Sequence, residues 1–346
     1  MKQAYLYCDP RSLNDATNYY VGLMSGPLMS KGYQIKTVHK LRDIQSPDIV
    51  ITITEKYFFY AKVRFPFVNT IYWAQGVGAE ERKLTMKNCF DIKSITGYVG
   101  RLISESLAIN RATIVFCVSQ RQVDYYKEKF GYKPNKDRLI IMPCYNSKLS
   151  PVFTPSQYEK PVFTYAGNAS SWQGVDFMLD VYKEVEKRLP EAKLKLYTRD
   201  KESFISKLNG RQVINYEINY VSVDALQSEL HKCKYGFIIR DNSIVNQVAT
   251  PTKMNSYLAS YLIPIFSETV GDFKENIKLG EFTIMCKYPL DAKTVADEIL
   301  KFETGQHDFN TFKEYVERVF DNHYNDTRYI ERINFVLSAN GIAPKQ

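Results

Sequence analysis

"YGFIIRDNSIVNQVATPTKMNSYLASYLIPIF", Tyr235–Phe266, contains a complete strand, loop, helix and second strand. "YGFIIR" is a short apolar run that closes on Arg240, and a polar loop follows it. Met254, Tyr257, Leu258, Tyr261 and Leu262 then recur at three- and four-residue steps, which marks one apolar face of a short helix. Thr250 suits the cap of that helix, and Pro251 suits its first turn, where no backbone N–H is missed. "IPIF" resumes the β pattern. Two strands joined through a helix imply a parallel sheet with helices on its faces.

One residue in this unit is out of place. Lys253 falls in the first helical turn, where the aligned peptide dipoles already make a cation unfavourable by about 0.3–1 kcal/mol. It is either a surface lysine whose flexible stem escapes the dipole, or a group that meets an anion there together with Arg240.

The same grammar runs outward in both directions. Ala4 to Cys8 is a short apolar run, "YQIKTVH", "PDIVITIT", "NTIYWAQG" and "ATIVFCVS" are short runs rich in Ile, Val and Thr, and a helical stretch lies around Tyr20 to Ser30. Between Asn146 and Pro161, "NSKLSPVFTPSQYEKP" carries three prolines and no periodicity, which predicts a domain linker. Alternation then restarts with "PVFTYAG", a helical stripe of Val175, Met178, Tyr182, Val185 and Leu189, the strands "KLKLYT" and "QVINYEI", and a helix marked by Val223, Leu226, Leu230 and Cys233. Ala292 to about Leu337 is helical by pattern. The expected fold class is α/β, two Rossmann-like doubly wound parallel-sheet domains in tandem. Residues 1–150 form the first, 151–325 the second, and 326–346 a terminal helix returning to the first.

The 346 residues suit two domains of roughly 150 residues each. A formal charge of +8 with both signs plentiful fits phosphate-bearing small molecules, nucleic acid or an anionic membrane surface without choosing among them. The six cysteines, Cys8, Cys89, Cys117, Cys144, Cys233 and Cys286, are scattered without C-x-x-C pairs or close histidines, so buried free thiols in a reducing compartment are expected. The N-terminus lacks the apolar core of a signal peptide, and no segment reaches the roughly 20 apolar residues of a membrane span. A cytoplasmic, soluble or peripheral protein follows as the expectation. "KYFFYAKVRFPF", Lys56 to Phe67, mixes aromatics with Lys62 and Arg64, and reads as either a peripheral contact with the inner membrane leaflet or a buried helix with snorkelling cations.

Ligands of parallel sheets sit beyond the carboxyl ends of strands. In the second domain this selects "GNASSWQG", Gly167 to Gly174, whose small residues let backbone N–H groups approach an anion or simply form a turn. It also selects "YTRD", where Arg199 reaches a ligand or pairs with Asp200, and the loop from Arg240 to Lys253. His39 is expected to end a strand, and His231, His307 and His323 to lie exposed on helices. No metal-spaced cluster of carboxylates or histidines is visible.

The order "YAGN…WQGVD", a strand ending near Arg199, and "GFIIRDNSIVNQVATPTKMNSYLASYLIPI" resembles the donor-binding domain of GT-B glycosyltransferases, in particular the retaining family-four group of bacterial polysaccharide and lipopolysaccharide synthesis. "YWAQGVGAEE", "ATIVFCVSQRQVDYYKEKFG" and "LIIMPC" are similar to the acceptor domain of those enzymes. The resemblance implies a nucleotide-sugar donor carrying UDP, GDP or dTDP in an interdomain cleft, a glycan or lipid-linked acceptor, transfer with retention, no cofactor or metal, and no nucleic acid. It places Arg240 and Lys253 in catalysis, stabilising the leaving diphosphate. It implies donor contacts at Gly167, Asn168, Ser170, Gln173, Arg199, Asn246, Val248, Ala249, Thr250, Pro251, Ser256 and Tyr257. Asn14, Tyr19, Gln75 and Glu80 are the acceptor-side candidates, each equally readable as a loop-fixing hydrogen bonder. Two departures stand out. Asn168 and Gln173 occupy a loop where the family often has Arg and Lys, and Ser256 replaces the glutamate that commonly binds ribose hydroxyls, which suggests a deoxythymidine donor. The alternatives are a nucleotide-sugar epimerase or phosphorylase on the same fold, a basic nucleic-acid-binding protein, and a catalytically silent homologue.

Overall fold

The structure, a computed structural model, describes residues 2–86 and 92–342, so Cys89 lies outside the described residues. The chain forms two compact units. The first comprises the residues up to Asn146, the short segment Gln247–Thr250, and the chain from Asn325 onward. The second comprises Ser147–Asn246 and Pro251–Tyr324.

In the first unit, β1 (Lys2–Tyr7), β2 (Tyr33–Val38), β3 (Ile49–Ile53), β4 (Asn69–Ala74), β5 (Ile114–Cys117) and β6 (Leu139–Ile141) pair in the order β2-β1-β3-β4-β5-β6. Every pairing is parallel, with Tyr7 opposite Thr52 and Ile51 opposite Ile71. β3 and β5 are buried along their whole length, whereas the edge strand β2 buries only Tyr33. That difference is why the central strands read as continuous apolar runs and the edge strand does not. Tyr20, from the helix Asp15–Ser30, stacks on Trp73 of β4 with centroids 3.9 Å apart and joins the helical layer to the sheet. The terminal helix Asp326–Ala339 packs on the helix Asp15–Ser30 and on β6.

In the second unit, β7 (Val162–Ala166), β8 (Lys193–Tyr197), β9 (Tyr216–Asn219), β10 (Tyr235–Ile238), β11 (Ile263–Ser267) and β12 (Ile284–Cys286) pair in parallel in the order β12-β11-β10-β7-β8-β9. The chain winds outward from β7 through β8 to β9, then returns to place β10 on the other side of β7. The strand order therefore reverses between β7 and β10, and their carboxyl ends open a crevice of the kind in which doubly wound sheets bind ligands. The helix Thr252–Ala259 crosses from β10 to β11, as its apolar stripe predicts, and buries Met254, Tyr257 and Leu258. Gly236 in β10 makes room for it, because a Cβ there would lie 2.3 Å from the Tyr257 ring.

Several expectations change. Thr250 does not cap the helix; Pro251 occupies the N-cap position without a side-chain bond, and the Thr250 hydroxyl instead accepts the Cys144 N–H at 2.9 Å. The strand expected over "QVINYEI" begins only at Tyr216, since Gln212 ends the helix Lys201–Arg211 in a left-handed conformation. None of the three histidines expected to lie exposed does so: His231 is half-buried, and burial lowers its proton affinity. His307 stacks on Phe302 at 3.8 Å, and His323 is buried with Nε2 3.1 Å from an Asp272 carboxylate oxygen. A helical pattern reports the face of one helix and is blind to what a neighbouring element lays over it. The described cysteines are free, and burial raises the Cys8 thiol to about 11 and those of Cys233 and Cys286 to about 12.

Candidate functional site

Two second-unit segments meet at the reversal point: the loop after β7 and the start of the helix Thr252–Ala259. Gly167 follows β7 directly, and its N–H donates to the Tyr197 carbonyl at the end of β8. A Cβ on Gly167 would sit 2.9 Å from Lys253 Cε and 3.0 Å from Lys253 Nζ, so only glycine admits the lysine at this approach. The loop is fixed by its own polar groups. The Tyr165 hydroxyl donates to the Asn168 carbonyl at 2.8 Å, the Ser170 N–H donates to the Asn168 side chain at 3.2 Å, and the Ala169 N–H donates to Asp200 at 3.1 Å. Gly174 ends the loop with φ +61° against the Ile239 carbonyl.

Into this loop projects Lys253. Its ammonium donates to Gln173 Oε1 at 2.9 Å and lies 5.2 Å from the centre of the Tyr165 ring. Arg240, two residues past β10, is 7% exposed. Its N–H donates to the Ser267 hydroxyl at 2.8 Å, its carbonyl accepts the Tyr288 hydroxyl at 3.2 Å, and its Nη1 reaches the Trp172 carbonyl at 3.4 Å. Among the described residues, the buried Arg240 Nε finds no hydrogen-bond partner.

The electrostatics of this pair are unfavourable as they stand. Burial, and then the charge of Arg240, push Lys253 down to about 7. Burial also lowers Arg240, with neighbouring Tyr165 and Asp241 partly offsetting it. Among the described residues no carboxylate offsets the burial of Lys253. Two partly desolvated cations thus act on one another, and desolvation and like charge each disfavour their charged forms.

The other donor-side candidates occupy different places. Arg199 does not pair with Asp200: its guanidinium donates to the Tyr220 hydroxyl at 2.6 Å and lies over that ring at 4.8 Å. Asp200 is instead engaged by the Ala169 N–H. Ala166, Gly167, Arg199, Tyr220, Val221 and Leu226 help line a pocket of about 380 Å³ at the ends of β7, β8 and β9. Asn246 is buried and donates to the Asp241 carbonyl at 3.0 Å, which holds the loop after β10. Ser256 faces the Ser147 hydroxyl at 3.1 Å. Tyr257 is fully buried; its hydroxyl accepts the Ala166 N–H at 3.1 Å, so it braces the end of β7 from beneath rather than lining the site. Val248 and Thr250 cluster with the first unit, where the Val248 carbonyl accepts the Ser119 hydroxyl at 2.7 Å. Ala249, between them, belongs to the same short segment, and Pro251 follows it as the N-cap.

The four first-unit candidates each make hydrogen bonds within the chain. Asn14 caps the helix Asp15–Ser30 by accepting the Thr17 N–H at 3.0 Å, and the Tyr19 hydroxyl donates to Asp326 at 2.7 Å. Gln75 reaches the Thr17 hydroxyl at 3.5 Å, and Glu80 accepts the Tyr125 hydroxyl at 3.2 Å beside Lys129 at 3.5 Å. Sequence reasoning missed Tyr165, Trp172, Ser267 and Tyr288, which position the two cations. Only Tyr165 and Trp172 carried a signal, Tyr165 just before the small-residue loop and Trp172 within it. Among the described residues, no group of three metal-ligating side chains is placed to hold a metal ion, and no helix is long and apolar enough to cross a membrane.

No protein-family model and no curated protein sequence matches the chain. Solved structures do. Sucrose-phosphate synthase from Thermosynechococcus elongatus is similar over 96% of this chain and 97% of its own, at 11% identity and a TM-score of 0.72. HepE from Anabaena, in complex with UDP, is similar over 98% of this chain and all of its own, at 10% identity and a TM-score of 0.64. The pneumococcal O-GlcNAc transferase GtfA, in complex with UDP and GlcNAc, is similar over 84% of this chain and 57% of its own, at 10% identity and a TM-score of 0.59. At such identities the likeness shows the architecture, which is the GT-B fold built on two doubly wound Rossmann-like sheets.

Proposed function

We propose that the protein is a glycosyltransferase that moves a sugar from a nucleoside-diphosphate donor to a glycan or lipid-linked acceptor, with retention at the anomeric carbon, in bacterial surface polysaccharide synthesis at the cytoplasmic side of the membrane. The observation that carries this reading is the half-buried Lys253 beside the buried Arg240, with no carboxylate offsetting the lysine, at the point where the strand order reverses. A donor diphosphate supplies the missing negative charge, and the Gly167 loop gives it room. The nucleoside then occupies the pocket at the ends of β7 to β9, with Arg199 and Tyr220 at its edge. Two of the similar structures hold UDP, which supports a nucleotide donor of this general kind.

As the bond to the leaving diphosphate breaks, charge develops on its oxygens, and preplaced cations in a water-poor site stabilise that charge most. Removing one such donor typically costs about 3–4 kcal/mol in the transition state. The diphosphate in turn restores the proton affinity of Lys253, so the lysine is charged when it is needed. This scheme draws its countercharge from the chain and requires neither metal nor cofactor. With Ser256 engaged by Ser147 and no carboxylate in its place, a dTDP donor lacking the 2′-hydroxyl fits the ribose side. Thermal stabilisation by UDP, GDP and dTDP, followed by transfer assays with the matching sugar nucleotides, tests the reading. No stabilisation by any nucleoside diphosphate overturns it, and a strong preference for GDP overturns the choice of dTDP.

A further inference from the structure

The loop after β7 carries a side chain that binding of a diphosphate does not use. Between Gly167 and Gly174 stand Asn168, Ala169, Ser170, Ser171, Trp172 and Gln173, all small or polar except for one indole. The protein has two tryptophans. Trp73 is 1% exposed and stacks on Tyr20, as a core indole does, whereas Trp172 is 45% exposed. A large apolar ring left half in water forgoes burial that would stabilise the fold.

The backbone under that ring is nonetheless well anchored. Trp172 lies in the short 3₁₀ turn Ser171–Gln173, which the Gln173 N–H closes by donating to the Ser170 carbonyl at 2.9 Å. The Trp172 carbonyl accepts Arg240 Nη1 at 3.4 Å and Asn246 Nδ2 at 3.5 Å, and the next side chain, Gln173, accepts the Lys253 ammonium at 2.9 Å. Trp172 is therefore tied to one cation and Gln173, its Cα about 3.8 Å away, to the other. A half-exposed indole is held beside the place that the donor diphosphate fills.

We propose that the Trp172 indole is a stacking platform for the hexopyranose of the sugar-nucleotide donor, and so a residue that sets which sugar is transferred. This rests on the transferase reading above. The donor sugar is bonded to the outer phosphate, so its ring begins one bond beyond the group that Lys253 and Arg240 meet. The C–H bonds on the face of a pyranose are polarised by neighbouring oxygens and carry partial positive charge, which the negative face of an indole attracts. Stacking also removes apolar area of both rings from water. The hydroxyls at the edge of the sugar stay free for hydrogen bonds. The indole thus selects a pyranose with an open C–H face and adds little to the binding of a bare diphosphate.

The test uses the full chain with UDP, GDP and dTDP, and with UDP-glucose, UDP-N-acetylglucosamine, GDP-mannose and dTDP-glucose, in the absence of acceptor. Tryptophan fluorescence with acrylamide as quencher reads this indole directly, because the fold shields Trp73. The expected result is that a sugar nucleotide protects the fluorescence from acrylamide more than its bare diphosphate does, and that Trp172→Phe shows no such difference. Trp172→Ala keeps the backbone carbonyl that Arg240 and Asn246 use. In isothermal titration it binds that sugar nucleotide at least about tenfold more weakly than the parent, with affinity for the bare diphosphate unchanged, and Trp172→Phe recovers most of the loss. Equal protection by sugar nucleotide and diphosphate overturns the proposal, as does parental affinity of Trp172→Ala for the sugar nucleotide. So does an equal loss of both ligands in Trp172→Ala, which would give the indole a purely structural role in the loop. These three outcomes leave the transferase reading standing, whereas absence of binding by every diphosphate and sugar nucleotide overturns both.

Discussion

Replacing Lys253 by Met removes its charge and keeps most of its stem. An ammonium at about 7 in the folded protein, against 10.5 when unfolded, costs the folded state up to about 4 kcal/mol at pH 7. The substitution also removes one hydrogen bond to Gln173, worth about 0.5–1.5 kcal/mol, and a cation–π contact with Tyr165 worth about 0.5–1 kcal/mol. Gln173 is not left stranded, because the Tyr165 hydroxyl still reaches it at 3.2 Å. The balance is a net stabilisation of about 1–3 kcal/mol, or a melting temperature higher by very roughly 2–10 °C. Because the folded value is depressed, the gain is fullest at and below about pH 7 and fades as pH rises towards 10.5. Scanning fluorimetry from pH 6.5 to 9, with and without UDP, GDP and dTDP, reads both halves of the argument. The parent gains stability from its preferred nucleoside diphosphate, and Lys253→Met, though intrinsically more stable, gains little. Calorimetry of the parent at pH 8 in paired buffers shows uptake of close to one proton on binding. A variant that melts below the parent at pH 7, or keeps the full ligand-induced shift, refutes an uncompensated anion-binding lysine.

Other outcomes follow from the same structure. Gly167→Ala places a methyl group within 3.0 Å of the Lys253 ammonium, so nucleoside-diphosphate affinity falls at least about tenfold by isothermal titration while circular dichroism stays native. Gly236→Ala brings Cβ to 2.3 Å from the Tyr257 ring, in the rigid core, and lowers urea stability by about 1–3 kcal/mol. Glu105 is raised to about 8 by burial and by Glu55, so the stability it allows is complete below about pH 4.5 and is lost as pH rises through 8. Glu105→Gln therefore flattens the denaturation midpoint between pH 6 and 9, and an unchanged slope would show that the carboxyl is not protonated in the folded chain.

Much of this is legible in the amino-acid sequence itself. The β-branched runs at β3, β4 and β5 are apolar on both faces because helices cover both sides of the sheet, and that fact is written into composition alone. The oddity of Lys253 was equally legible, since a cation in a first helical turn violates a local rule without outside help. Arg240 was visible as the charge that closes an apolar strand. Tyr257 and Asn246 read as ligand contacts and turned out to be buried braces, because a motif position gives proximity to a site but not the direction of a side chain.

Alternation of strands and helices thus determined two parallel sheets, and one misplaced charge determined where to look. Only the tertiary structure decided that the strand order reverses between β7 and β10, that Gly167 lies under the Lys253 ammonium, and that the charge acting on that lysine is another cation, Arg240. Local periodicity depends on near neighbours in the chain, whereas burial and charge pairing depend on residues brought together from more than seventy positions away, as Gln173 and Lys253 are.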